Sequence, residues 1–210
     1  MKKIIGIDPG SEKSGVVVLE NGAIKETYEA MPNESVVEFL LLSDNLSDMK
    51  VIIEDVRAYN MRISGDIIET VKFIGWLTGT KTVKGKLSEL GIKYELIPRY
   101  QVKEWIFLQF RTMAEPEIIK IIARNQARNE KKAIEAGEEY KKRNLAPTFI
   151  YVEDRIVANA MRKWWDIKKP SRPGQKSPYG LKTHSWQSLA LCSYWMATMG
   201  LKINNLGSGQ

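Results

Sequence analysis

The dipeptide Asn21-Gly22 constrains the fold of this chain more than any other feature. It lies between SGVVVLE, Ser14 to Glu20, and AIKETYE, Ala23 to Glu29. A two-residue Asn-Gly connection tolerates positive φ at both central positions, which a tight antiparallel hairpin demands. Upstream, KIIGID (Lys3 to Asp8) is a short apolar run closed by turn residues, and it reads as another strand. The chain is therefore expected to open as a three-strand antiparallel meander.

The pattern then changes. Ser35 to Leu42 reads as a helix, and VIIEDV (Val51 to Val56) as a buried strand ending in acids. From Asp66 to Thr78, Ile67, Ile68, Val71, Ile74 and Trp76 recur at near-helical spacing. Ile92 to Ile97 is a fifth strand, stopped by Pro98. A meander followed by helix, strand, helix and strand predicts a mixed five-stranded α/β sheet, antiparallel first and parallel after, flanked by helices. From Gln101 onward the chain reads as helical. Helices are expected over Glu117 to Lys142, Val152 to Trp165 and Ser185 to Met199, and Lys168 to Lys182 (KKPSRPGQKSPYGLK) is a basic Pro/Gly-rich loop.

Composition narrows the partners. Hydrophobic residues make up 43% of the 210, enough for a core, and the formal net charge is +7. The excess is concentrated: Lys120 to Lys182 holds 16 Lys/Arg against 7 Asp/Glu, a balance of +9 that exceeds the whole-chain value. One reading is a solvated helical face with i,i+4 pairs. We favour a surface for a polyanion, with nucleic acid the expected partner, because the loop from Lys168 has no helical face to serve. The single cysteine, Cys192, excludes an internal disulfide framework and sits in an apolar run as a small core residue. No Cys/His cluster of zinc-ligand spacing is present. Asp8 and Pro9 break the N-terminal apolar run, so neither a signal peptide nor a membrane span is expected, and the location expected is cytoplasmic.

Three polar positions stand out. Asp8 ends the first strand and is followed by Pro9-Gly10, which presents its carboxylate at a sheet end. Glu54 follows Val51, Ile52 and Ile53, and a carboxylate after three buried residues is costly unless it meets a cation. Successive strand residues face opposite ways, so only one of Glu54 and Asp55 can join Asp8. Glu54 is the choice, with Asp55 as a surface or capping residue. His184 is the only histidine and stands at the start of the last helix.

These positions, in this order, resemble the RuvC-type Holliday junction resolvases of the RNase H-like superfamily. The likeness rests on IIGIDPGSEKSGVVVLE, VIIEDVRAYNMRISGDIIETVKFIGWLTG and HSWQSLALCSYW. It implies one RNase H-like nuclease domain over residues 1–210, with a basic helical and loop segment at about 112–182. It also implies that Asp8, Glu54, His184 and Gln187 form the catalytic and metal-binding set, holding Mg²⁺ or Mn²⁺. The family pattern has an aspartate three residues after His184; here Gln187 offers a carbonyl oxygen and no charge. The implied reaction is two-metal phosphodiester hydrolysis of four-way junctions or related branched DNA. The implied assembly is a homodimer, with the Asp66–Thr78 helix as its interface candidate. Lys72, Lys168, Lys169, Arg172, Lys176 and Lys182 are expected to contact DNA; Lys72, Lys81 and Arg99 are candidates to offset charge at the scissile phosphate. A branched-DNA-binding protein without catalysis is the alternative that Gln187 leaves open. A sugar-kinase-like reading of the Asp-Pro-Gly turn needs two such domains, more chain than 210 residues supply.

Overall fold

Three strands built from the N-terminal meander form one half of a five-stranded sheet. They are β1 (Lys3–Asp8), β2 (Lys13–Glu20) and β3 (Ala23–Pro32). In this computed structural model the described residues are 3–43, 46–56, 63–80, 82–169 and 177–201. Asn21 and Gly22 take φ of 50° and 79°, the double positive-φ turn expected between β2 and β3. Helix α1 (Asn33–Leu41) leads back to β4 (Met49–Asp55), α2 (Gly65–Thr78) and the short α3 (Lys86–Glu89) lead to β5 (Lys93–Pro98). The strand order is β3-β2-β1-β4-β5; the first three strands are antiparallel, and β4 and β5 run parallel to β1. This is the expected mixed five-stranded sheet, an antiparallel meander followed by parallel strands.

The remaining helices are α4 (Arg99–Gln109), α5 (Arg111–Glu135), α6 (Asp154–Trp164) and α7 (Thr183–Thr198). Strand alternation splits the core in two. Ile5, Ile7, Val16, Val18, Val51 and Ile53 face α1, α2 and α3. Ile4, Val17, Leu19, Ile52 and Ile97 face α4 to α7. Continuous apolar runs in β1, β2 and β4 follow from this burial on both faces. Cys192 is fully buried within α7, as a small core residue.

Helix α7 is buried along most of its length and lies across the middle of the sheet. Glycine permits that approach. A Cβ on Gly6 would stand 2.4 Å from the Ser188 carbonyl oxygen, and one on Gly15 would stand 2.6 Å from the His184 carbonyl carbon. Both lie below any real contact distance, so β1 and β2 admit the helix only where they lack side chains. The β1–β2 connection is fixed by Asn33, which is buried. Its amide donates to the carbonyls of Gly10 and Ser11, and its oxygen accepts from Ser14 Oγ at 2.7 Å.

Two boundaries differ from expectation. The long helix spans Arg111–Glu135 rather than Glu117 to Lys142, with Pro116 inside it. It ends in a backbone cap: Gly137 takes φ of 70°, its N–H donates to Ile134, and Glu138 N–H donates to Ala133. Residues 170–176 of the basic loop, Arg172 and Lys176 among them, lie outside the described residues, and so does Lys81. No helix among the described residues is long and apolar enough to cross a membrane.

Candidate active site

Parallel pairing of β1 and β4 places Ile7 opposite Ile53, so the next residues, Asp8 and Glu54, end adjacent strands side by side. Period-two alternation puts Asp8 on the face of Gly6 and Glu54 on the face of Ile52, the side covered by α7. Asp55 points away from that face and is partly exposed. Both facing carboxylates are buried, Asp8 to 5% and Glu54 to 4% exposure, and they interact directly. Burial, reinforced by the Asp8 charge and hydrogen bond, raises the Glu54 pKa to about 7 against the opposing pull of Arg99.

His184 completes this group from the first turn of α7. Its Nδ1 lies 2.9 Å from Asp8 Oδ2, and half of its side chain remains open to solvent at 58% exposure. An ionised carboxylate oxygen only accepts, so Nδ1 carries a proton, and in the neutral ring Nε2 is then the acceptor. The Asp8 hydrogen bond raises the pKa of the imidazole, against the effect of its partial burial.

Gln187, one turn further along α7, is buried, and its amide donates to Asp154 Oδ1 at 2.8 Å. Asp154 opens α6, and sequence reasoning left it unplaced. Two cations on α4 close the cluster. Arg99 Nε lies 3.4 Å from Glu54 Oε1. Burial works against its charge, but Glu54, Asp8 and Asp154 outweigh it and hold the guanidinium pKa up. Lys103, one turn on, has its pKa lowered by burial and by the Arg99 charge. Lys103 went unseen in the sequence and Asp154 unplaced, because the partners of each lie far away in the chain. The only signal for Lys103 is its spacing of four from Arg99, which puts both on one helical face.

The other expected contacts scatter. Lys72 is exposed on α2 and pairs with Glu69 at 2.7 Å. Lys168, Lys169 and Lys182 are exposed beyond α6 and before α7. Several cations of the basic segment are bound within the protein: Lys120 and Arg155 to Glu117, and Arg124 to Glu153; just before it, Arg111 pairs with Glu115. Among the described residues, Arg128 and Lys132 on α5 and Lys142 and Arg143 after it have no such acidic partner, and Lys142 and Arg143 lie beside Ile122 and Gln126 of that helix.

The chemistry of the donors suits a hard divalent cation. Two buried carboxylates held in contact repel one another, and an oxygen-ligated cation relieves that repulsion. Among the described residues, however, no three acidic, histidine or cysteine side chains are already disposed around one point.

No protein-family model matches the chain, and no curated protein matches it in sequence. Two solved structures are similar in shape. A Thermus thermophilus RuvC structure is 18% identical, with a TM-score of 0.44 over 94% of this chain and 96% of that one. A T. thermophilus RuvC in complex with Holliday junction substrate is 18% identical, with a TM-score of 0.46 over 95% and 97%.

Proposed function

We propose that this chain is a structure-selective endonuclease that hydrolyses phosphodiester bonds in branched DNA, four-way junctions among them. The observation that carries the reading is the buried Asp8–Glu54 pair, at neighbouring strand ends and hydrogen-bonded to the sole histidine. A pair of carboxylates held in contact at low exposure is costly in a folded chain and marks a site rather than a structural device.

Asp8 and Glu54 would hold Mg²⁺ or Mn²⁺, with His184 and the carbonyl oxygen of Gln187 completing the set. A divalent cation held there would lower the pKa of an attacking water and offset charge on the phosphate. The chain's own residues do the rest. Asp8 fixes the imidazole of His184 and leaves Nε2 as the nitrogen that would either ligate the cation or take a proton from water. Arg99 and Lys103 present positive charge beside the carboxylates, where the scissile phosphate would lie. The basic stretch from the end of α5 through Lys168, Lys169 and Arg172 to Lys182 would follow the DNA backbone.

Junction resolution requires two symmetric nicks, and a two-fold dimer of this chain would supply both sites. Helix α2 suits that interface. Phe73, Ile74 and Leu77 are buried against the sheet, while Ile68, Val71 and Trp76 remain 44–48% exposed on its other side.

A second reading, branched-DNA binding without cutting, is favoured by one feature: Gln187 adds no charge and its amide is engaged by Asp154. Incubating the chain with a four-way junction in Mg²⁺ and separately in Mn²⁺ separates the two. The nuclease reading expects paired nicks near the branch point. A bound and intact junction in both metals would establish the binder.

A further inference from the structure

The imidazole of His184 meets Asp8 only if the first turn of α7 is held in place. Lys182, at the N-cap, has no side-chain oxygen to accept from that turn, and the Ser185 hydroxyl accepts only from Lys182 N–H, at 2.8 Å. The turn's exposed amides are satisfied from the edge strand β3 instead. His184 N–H donates to Glu29 Oε1 at 3.0 Å and Ser185 N–H to Glu29 Oε2 at 3.0 Å. The Ser185 hydroxyl, fully buried, donates to the same Oε2 at 2.8 Å. A single carboxylate 155 residues away in sequence thus takes three donors from the turn that carries the histidine.

The strand is shaped for this. β3 pairs Tyr28 with Val16 and Met31 with Ser14, so Glu29 and Ala30 together oppose the single residue Gly15. This is a β-bulge, a device that re-aims a side chain. Because of it, Tyr28 and Met31 both pack toward α1, while Glu29 is turned to the α7 face. Gly15, opposite the bulge, is also the residue against which the His184 backbone rests. Two residues before Glu29 and on the same face, the Thr27 hydroxyl donates to the Tyr179 carbonyl, pinning the chain just ahead of α7.

We propose that Glu29 is a positioning residue for the reaction: it sets the first turn of α7 so that His184 Nδ1 reaches Asp8. The proposal rests on the nuclease reading of the site; Glu29 itself lies outside the residue set that the resemblance implies. It assigns Glu29 no contact with DNA.

His184 is the only histidine, so its ring nitrogens can be read by NMR without assignment. Wild type should show a single pattern with Nδ1 protonated and hydrogen-bonded. Glu29→Ala should give the averaged pattern of a free imidazole, with kcat on a four-way junction down about tenfold or more and KM within about twofold. Glu29→Gln keeps one acceptor oxygen and guards against misfolding of the alanine variant; it should fall between the two. An unchanged ring pattern in both variants overturns the proposal, as does a shifted ring with unchanged kcat. If the wild type cuts no branched substrate while Glu29→Ala still frees the ring, the positioning role stands and the nuclease reading falls.

Discussion

Glu54 carries the sharpest consequence at the scale of a single residue. Its pKa of about 7 in the folded protein lies above its ordinary value of 4.5, chiefly through burial and then through Asp8, with Arg99 opposing. Between those two pH values the folded chain holds a proton that the unfolded chain has released. The metal-free protein therefore loses stability as pH rises from about 4.5 to about 7, the reverse of an ordinary ion-paired carboxylate. Mg²⁺ or Mn²⁺ at about a hundred times its dissociation constant should add about 2.7 kcal/mol at pH 8. That is a rise of roughly 5–10 °C in melting temperature for a chain of this size. The gain should shrink at pH 5.5, where protons compete. Glu54→Gln should raise the metal-free melting temperature at pH 8 and abolish the metal-induced rise. Thermal unfolding at the two pH values, with and without metal, checks all of this. Asp8, Glu54 and His184 were legible in the sequence, since strand alternation admits only one of Glu54 and Asp55, Glu54 follows the buried run, and the chain has one histidine. Asp154, Lys103 and Glu29 were not. Their meeting depends on how α4, α6 and a bulged edge strand pack, and none of these leaves a local pattern.

At the scale of elements, the seat of α7 decides whether a site exists. Gly6→Ala pushes a methyl group into the Ser188 carbonyl and Cys192 Sγ, backbone and buried sulfur that cannot easily yield. A cost of about 1–3 kcal/mol is expected by analogy with overpacked cores, measurable by urea unfolding. Gly15→Ala meets the His184 backbone instead. It should cost a similar amount of stability but reduce cleavage far more than Gly6→Ala does, because it displaces the histidine directly. Equal losses of activity in the two variants would mean that the first turn of α7 is not special. The strands and most helices could be read within a few residues from apolar periodicity and from Asn21-Gly22. The long helix α5 was misjudged at both ends for physical reasons. Pro116 reads as a break, yet burial of Ala114 and Ile118 on either side carries the helix through it. Beyond Glu135 the charged pattern continues unchanged, and only the positive φ of Gly137 marks the stop.

At the scale of the whole molecule, net charge is a poor guide to where DNA would lie, because several cations of the basic segment are neutralised at home. Arg124, tied to Glu153 at 2.6 Å, should contribute little. Lys168, Lys169 and Arg172, replaced together by Gln, should flatten the slope of log K against log salt by up to about 3 units, from roughly 0.9 per released phosphate contact. Arg124→Gln should leave that slope nearly unchanged. A triple variant with the wild-type slope would return the loop to ordinary solvated surface. Light scattering at micromolar concentration should show a dimer that Trp76→Glu breaks; a monomer of 24.0 kDa, free and on junction DNA, would remove the paired-nick mechanism. The most direct measurement of the central claim sets the wild type beside Asp8→Asn on one four-way junction, with binding and cleavage followed in the same Mg²⁺ buffer. Wild type should bind and nick the junction, and Asp8→Asn should bind within a few fold and leave it intact. Equal cleavage by both proteins, or none by either, would contradict the account.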